Sequence, residues 1–155
     1  MNVHELNLVK IKEAWQRITP FVHQTPLHHS RTLSEIANCQ VHLKLENMQK
    51  TGSFKIRGAV NKIFSLRPEE MACGVITASA GNHAQGVAWA AKASNVPAIV
   101  VMPEKAPTAK VRATKAYGAN VVLYGQNYDE AYQHARKLQA EQNRTFIHAF
   151  DDPAI

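Results

Sequence analysis

The sequence has few cysteines and no pattern typical of a metal site. Cys39 and Cys73 form neither a metal-ligand spacing nor a disulfide framework. The eight histidines include a cluster at His23, His28 and His29, but no HExxH pair is present. These absences argue against zinc-binding and disulfide-stabilised protein classes. We therefore predict a protein of the reducing cytoplasm that holds no metal.

Long hydrophobic runs and long basic runs are missing as well. The longest apolar stretch, residues 96–102, is far too short to cross a bilayer, and residues 1–15 carry charges where a signal peptide has an apolar core. The net charge is +6, but the basic residues form no run of five and are not interleaved with aromatic residues. We expect neither membrane insertion nor nucleic-acid binding. The composition, 45% hydrophobic and 19% charged, is typical of a soluble globular protein.

Most of the chain alternates between apolar runs and amphipathic segments. The predicted helices are residues 9–18, 31–38, 54–66, 82–93, 108–117 and 128–142, and the predicted strands are residues 41–45, 74–78, 98–102, 120–124 and 145–148. Continuous apolar strands between amphipathic helices indicate a parallel sheet that is covered on both faces. The pattern therefore predicts an α/β protein with three α/β/α layers and right-handed crossovers.

The first candidate site is a lysine at the start of a predicted helix. Lys55 follows a turn at residues 51–53, so it lies near the partial positive charge of the helix N-terminus, and Arg57 adds a further positive charge. Both effects favour the neutral amine, which is the form that a Schiff-base lysine needs. Without other evidence, the alternative is a solvated lysine beside a turn.

The second candidate site is the turn that joins a predicted strand to the helix at residue 82. Such turns lie at the carboxyl ends of parallel strands, where ligands bind, and the free N–H groups of the helix attract anions. Gly81 permits close backbone approach, and Ser79 and Asn82 offer side-chain donors. The alternative is an ordinary helix cap by Ser79. The turn does not have the GxGxxG pattern, so a dinucleotide is not indicated.

Both candidate sites lie in segments that resemble one known family. Residues 53–59 (SFKIRGA), preceded by residues 45–47 (LEN), and residues 77–86 (TASAGNHAQG) closely resemble the threonine dehydratase and serine racemase family. These are fold-type II enzymes that use pyridoxal 5′-phosphate (PLP). The resemblance implies a tryptophan synthase β-like fold, of which this chain carries only the N-terminal half of the catalytic domain. Residues 1–51 would belong to a large PLP domain, and residues 52–155 would form a small α/β domain with the substrate-carboxylate loop.

The resemblance also implies roles for single residues. Lys55 would bind PLP as a Schiff base and later take the Cα proton of the substrate. Phe54 would pack against the cofactor ring, and the Asn82 side chain would reach its ring hydroxyl. The residues that would contact the substrate carboxylate are Ser79, Gly81, Asn82 and His83.

The implied reaction is the β-elimination of L-threonine, and also of L-serine, to 2-oxobutanoate or pyruvate plus ammonia. Such an enzyme serves isoleucine biosynthesis or threonine catabolism and is a homo-oligomer at full length. Serine racemases of this family have a serine where this chain has Ala80, so the resemblance favours a dehydratase. The alternatives are a serine racemase, a 3-hydroxyaspartate dehydratase, or a non-catalytic α/β module that binds a small anion or a nucleic acid.

The last five residues indicate that the sequence is part of a longer chain. Residues 151–155 bring neither a closing helix nor a polar tail, which suggests a truncation inside a connection. In the resembled family, a glycine-rich loop binds the PLP phosphate and a serine or cysteine bonds the pyridine nitrogen, and both are expected beyond residue 155. We therefore expect the 155-residue chain alone to be weakly active or inactive.

Overall fold

The structure, a computed structural model, describes residues 7–155 and contains two small sheets and seven α-helices within them. The helices are α1 (Leu8–Ile18), α2 (Arg31–Ala37), α3 (Lys55–Ile63), α4 (Pro68–Cys73), α5 (Asn82–Ala93), α6 (Thr108–Ala116) and α7 (Tyr128–Gln142). The strands are β1 (Leu27–His29), β2 (His42–Lys44), β3 (Val75–Ala78), β4 (Ala98–Met102), β5 (Asn120–Leu123) and β6 (Thr145–Phe146). Most predicted elements are confirmed to within a few residues of their ends.

The larger sheet has four parallel strands in the order β5-β4-β3-β6. Every residue of β3 and β4 is buried, which is why their sequences read as continuous apolar runs. Successive side chains of a strand point to opposite faces, so Val75 packs on the face covered by α3 and α5, while Ile76 packs on the face covered by α7. The prediction of a parallel sheet between two helical layers is confirmed.

The smaller sheet is a two-stranded antiparallel ribbon that pairs Leu27 with Lys44. Its six residues are exposed, and β1, which reads Leu-His-His, lacks the alternation of apolar and polar residues by which β2 was predicted. The second unpredicted element is α4, which starts at Pro68. A proline ends a preceding helix but is also favoured in the first helical turn, and here Glu70 accepts a hydrogen bond from the main-chain N–H of Arg67 at 2.9 Å.

The proposed boundary between residues 51 and 52 falls in the turn that connects the 3-10 turn Glu46–Met48 to α3. Ile18 of α1 nevertheless lies in the same core cluster as Ile56 of α3 and Val87 of α5. The division into two domains stays a prediction. Across residues 7–155, no helix combines the length and the apolar character needed to cross a membrane.

Candidate active site

Lys55 is the first residue of α3, as the turn before it predicts. Its Nζ donates a hydrogen bond of 2.6 Å to the main-chain carbonyl of Ala149, which is 94 residues away in the sequence. The same Nζ lies 5.4 Å from the centroid of the Phe54 ring, which is 59% exposed. The amine therefore lies partly buried between a carbonyl that follows β6 and an aromatic ring that is open to solvent.

The backbone of Lys55 is held against α5 at a glycine. A Cβ atom at Gly86 would come within 3.2 Å of the carbonyl carbon and oxygen of Lys55 and within 3.3 Å of the Ile56 nitrogen. Real Cβ contacts are rarely this close, so the absence of a side chain lets α5 approach the first turn of α3. Gly86 is not among the site residues that the sequence predicts. The available signal was a glycine in the interior of an amphipathic helix.

Arg57 is paired with a carboxylate, so its charge does not act on Lys55 alone. Its Nη2 and Nε donate to the two oxygens of Glu46 at 2.7 and 2.8 Å, and the Thr25 hydroxyl donates to the same carboxylate at 2.5 Å. The Arg57 hydrogen bonds are the main reason that the pKa of Glu46 is lowered. The positive charge of Arg57 is therefore balanced within the site by Glu46, a partner that the sequence did not indicate.

The turn at residues 79–81 joins β3 to α5 and leaves the helix without a side-chain cap. The Ser79 Oγ accepts a hydrogen bond of 3.2 Å from the Gly81 N–H and does not cap the helix, so the alternative of an ordinary serine cap is wrong. A Cβ at Gly81 would meet no atom within 4 Å. The loop therefore presents main-chain N–H groups and the positive end of a twelve-residue helix to open space.

Asn82 and His83, the first two residues of α5, face different surroundings. Asn82 is exposed, and its Oδ1 accepts a hydrogen bond of 2.9 Å from the Lys110 Nζ. His83 is 3% exposed, and its Nε2 lies 3.2 Å from the carbonyl oxygen of Ile147. Lys110 is a neighbour of the site that the sequence analysis missed, because it comes from α6 and nothing local marks it.

Burial lowers the pKa of His83 to about 4, with smaller contributions from the charges of Lys55 and His148. The ring is therefore neutral at pH 7 and carries one N–H, which the contact with the Ile147 carbonyl assigns to Nε2. Its Nδ1 is buried without a hydrogen-bond partner in the described structure.

These residues fit a cofactor that is bound through an amine. Lys55 supplies the amine, Phe54 supplies an exposed ring beside it, and the start of α5 supplies free N–H groups. In the turn before Lys55, the hydroxyl oxygens of Thr51 and Ser53 are buried without a partner among the described residues. Unpaired buried hydroxyls are uncommon and are often found where a further molecule completes the hydrogen bonding.

Comparison with known proteins assigns the chain to a family. The sequence profile described as "Pyridoxal-phosphate dependent enzyme" matches residues 18–155. The chain belongs to this family. The cofactor of the family is therefore PLP, and the fold-type II resemblance is confirmed.

Similar proteins of this family include both lyases and racemases. The chain is 49% identical over 150 residues to L-threonine ammonia-lyase of Thermotoga maritima, a match that covers 97% of the chain and 37% of that protein. The structure of threonine deaminase isoform 2 of Solanum lycopersicum superimposes with a TM-score of 0.89 at 39% identity, over 99% of this chain and 45% of that one. Maize serine racemase gives a TM-score of 0.90 at 37% identity, over 96% of this chain and 45% of that one. The chain thus spans less than half the length of these relatives.

Proposed function

We propose that this chain forms part of a PLP-dependent lyase that eliminates water and ammonia from L-threonine, and also from L-serine, to give 2-oxobutanoate or pyruvate. The observation that carries the proposal is the partly buried Lys55 amine at the start of α3, whose backbone packs at Gly86 against α5, a helix with no side-chain cap at its N-terminus. The names of the Thermotoga and tomato relatives support the choice of threonine as substrate. The amine would hold the cofactor, and the helix N-terminus would hold the substrate carboxylate.

Lys55 has two tasks in this proposal. It anchors the cofactor through Nζ, and when that amine is free it takes the proton from the substrate Cα. Bound PLP supplies the electron sink that makes this proton acidic. The Phe54 ring, which lies beside Nζ, would pack against the cofactor ring.

The substrate carboxylate would lie over the turn before α5. The Ser79 hydroxyl and the main-chain N–H of Asn82 would donate to it, and the Gly81 N–H, which donates to Ser79 Oγ at 3.2 Å in this structure, would turn from that oxygen to the carboxylate. His83 would contribute its main-chain N–H, because its ring is occupied at Ile147. The Oδ1 of Asn82 already accepts from Lys110, which leaves the Nδ2 of Asn82 free to donate to the cofactor ring hydroxyl.

A serine racemase is the second candidate, and the similarity to maize serine racemase favours it. Racemisation needs a proton-transfer group on each face of the substrate carbon, and Ala80 offers only a methyl group in the loop. We therefore place elimination first. The complete enzyme is incubated with D-serine, L-serine and 3-hydroxyaspartate, and the products are analysed. The products distinguish a dehydratase for threonine and serine from a serine racemase and from a 3-hydroxyaspartate dehydratase.

We further infer that the whole enzyme acts in the cytoplasm as a homo-oligomer, as the resembled family implies. A non-catalytic anion-binding module would need the helix N-terminus but would have no use for Lys55 in its partly buried position. Membership in an enzyme family makes this alternative the weaker one.

Reductive trapping tests the proposal. The chain is mixed with PLP, reduced with borohydride and digested, and the modified lysines are identified by mass spectrometry. We expect Lys55 to carry most of the label and Lys55→Ala to remove it. Lys62→Ala is the matched control, because Lys62 lies on the same helix but forms an ion pair with Asp152 at 2.8 Å. Equal labelling of all lysines, or an unchanged yield in Lys55→Ala, would contradict the assignment.

A further inference from the structure

The residues that follow β6, residues 147–149, connect the core of the sheet to the Lys55 amine. We call them the β6 exit segment. The Ile147 N–H donates to the Ile76 carbonyl at 2.8 Å, and the Ile147 side chain is fully buried. Two residues later, the Ala149 carbonyl accepts the hydrogen bond from Lys55 Nζ at 2.6 Å. The position of the amine is therefore tied to the position of this segment.

Two buried side chains converge on one carbonyl of the segment. The Thr77 hydroxyl donates to the Ile147 oxygen at 2.8 Å, and His83 Nε2 donates to the same oxygen at 3.2 Å. Thr77 is 0% exposed and His83 is 3% exposed. A carbonyl oxygen has two lone pairs, so these two donors saturate it in a part of the molecule that water does not reach.

We propose that Thr77 and His83 are positioning residues that act on Lys55 through the β6 exit segment. They fix the Ile147 carbonyl, the short irregular chain carries that constraint to Ala149, and the Ala149 carbonyl fixes the amine. The relevance of this device to the reaction rests on the proposed function of Lys55. A site held by a second layer of buried hydrogen bonds is more accurately preorganised than one left to the flexibility of a lysine side chain.

Thr77→Val tests the proposal, because valine keeps the shape of threonine and replaces its hydroxyl with a methyl group that cannot donate a hydrogen bond. The readout is competitive acetylation by a trace of acetic anhydride, with the label at Lys55 compared with that at exposed Lys92 in the same sample. We expect the relative labelling of Lys55 to rise about threefold, because the Ala149 carbonyl then holds the amine less tightly. Hydrogen exchange at the Phe150 and Asp151 amides should become faster in the same variant.

The chain offers a matched control in Thr114→Val. Thr114 is also 0% exposed, and its hydroxyl also donates to a main-chain carbonyl, that of Lys110 at 2.9 Å within α6. This variant also loses the hydrogen bond of a fully buried hydroxyl to a main-chain carbonyl, here within one helix, but should leave the relative labelling of Lys55 unchanged. An equal rise in both variants, or no rise in Thr77→Val, would overturn the proposal.

A second pair of variants keeps the test decisive if Thr77→Val does not fold. Thr77→Ser and Thr77→Ala both lose the γ-methyl group and differ only in the hydroxyl. Labelling of Lys55 should stay low in the serine variant and rise in the alanine variant, and equal labelling in the two would contradict the proposal. Acetylation needs no PLP, so this inference can fail while PLP trapping at Lys55 succeeds, and the reverse.

Discussion

At the scale of single residues, His83 makes the stability of the molecule sensitive to pH. Its pKa is lowered from 6.5 in the unfolded chain to about 4 in the folded protein, first of all by burial. Between these two values the unfolded chain binds more protons than the folded one. The stability that neutral His83 contributes is therefore fully present above pH 6.5 and is lost as the pH falls toward 4.

We predict that the free energy of unfolding is about 2 kcal/mol lower at pH 5 than at pH 7.5 because of the titration of His83. Urea denaturation at these two pH values measures the change. His83→Gln is the control, because glutamine can donate a hydrogen bond but does not titrate, so its stability should vary less over the same interval. Glu46, whose pKa is also lowered, loses its charge only at more acidic pH. The same pH dependence in both proteins would rule out His83 as its source.

Features of single residues could be predicted where they depend on neighbouring residues in the sequence, and were missed where they depend on distant ones. The placement of Lys55 at a helix start followed from the turn and the helical period around it, all within a few residues. Its partner Ala149 could not be predicted, because the contact depends on how the chain returns 94 residues later. The ion pair between Arg57 and Glu46 was missed for a related reason. The carboxylate lies on a 3-10 turn, which is too short and too poor in apolar residues to produce a hydrophobic period in the sequence.

At the scale of elements, the contact between α3 and α5 decides where the Lys55 backbone lies. Gly86 is the point of closest approach. An alanine there would gain up to about 1 kcal/mol of helix propensity, but its methyl group would push on the Lys55 carbonyl, and overpacking of this kind costs about 1–3 kcal/mol. The gain in helix propensity and the cost of overpacking partly cancel in the free energy of unfolding, but the methyl group would still displace the Lys55 backbone.

We therefore predict that Gly86→Ala slows PLP trapping at Lys55 by about tenfold while it lowers the stability by no more than about 2 kcal/mol. The trapping rate and the midpoint of thermal unfolding are the two measurements. Gly58→Ala serves for comparison, because a Cβ at this other helical glycine would approach the Ile155 backbone at 2.7 Å instead of Lys55. If both variants slow trapping equally, the effect is a general loss of packing and not a displacement of the lysine.

The elements themselves were largely predictable because burial imposes their period. β3 and β4 are buried on both faces and α5 is buried along most of its length, so sequence and structure agree there. Both strands of the exposed ribbon lack burial, but residues 41–45 alternate apolar and polar side chains and were predicted, whereas β1 reads Leu-His-His, has no such alternation and was missed. β6 was predicted as residues 145–148 but ends at Phe146, because residue 147 turns its carbonyl away from the ladder toward Thr77 and His83.

At the scale of the whole molecule, a parallel sheet between two helical layers follows from the alternation of strands and helices, whereas the strand order β5-β4-β3-β6 and the coverage of α1 do not. The sequence predicts an amphipathic α1, yet Val9, Ile11 and Trp15 are 57–63% exposed. A groove of about 600 Å³ lies between α1, α3 and residues 153–155. The apolar period of a helix identifies its apolar face, but which residues pack on that face depends on contacts that are distant in the sequence.

The last prediction concerns turnover by the 155-residue chain. Its seven glycines stand singly, with at least four other residues between any two, so the chain has no glycine-rich loop for a phosphate. In the resembled family such a loop holds the PLP phosphate, and the phosphate helps the β-hydroxyl of the substrate to leave. A cofactor attached through Lys55 alone would be held at one end, and a reacting group that is free to move loses most of the rate that orientation provides.

With saturating PLP and L-threonine, we expect the chain to form 2-oxobutanoate at least about 100-fold more slowly than the Thermotoga maritima enzyme assayed beside it. Lys55→Ala gives the background due to free PLP. Turnover near that of the relative would show that the described residues build a complete site, and it would require a phosphate-binding group that the sequence does not reveal.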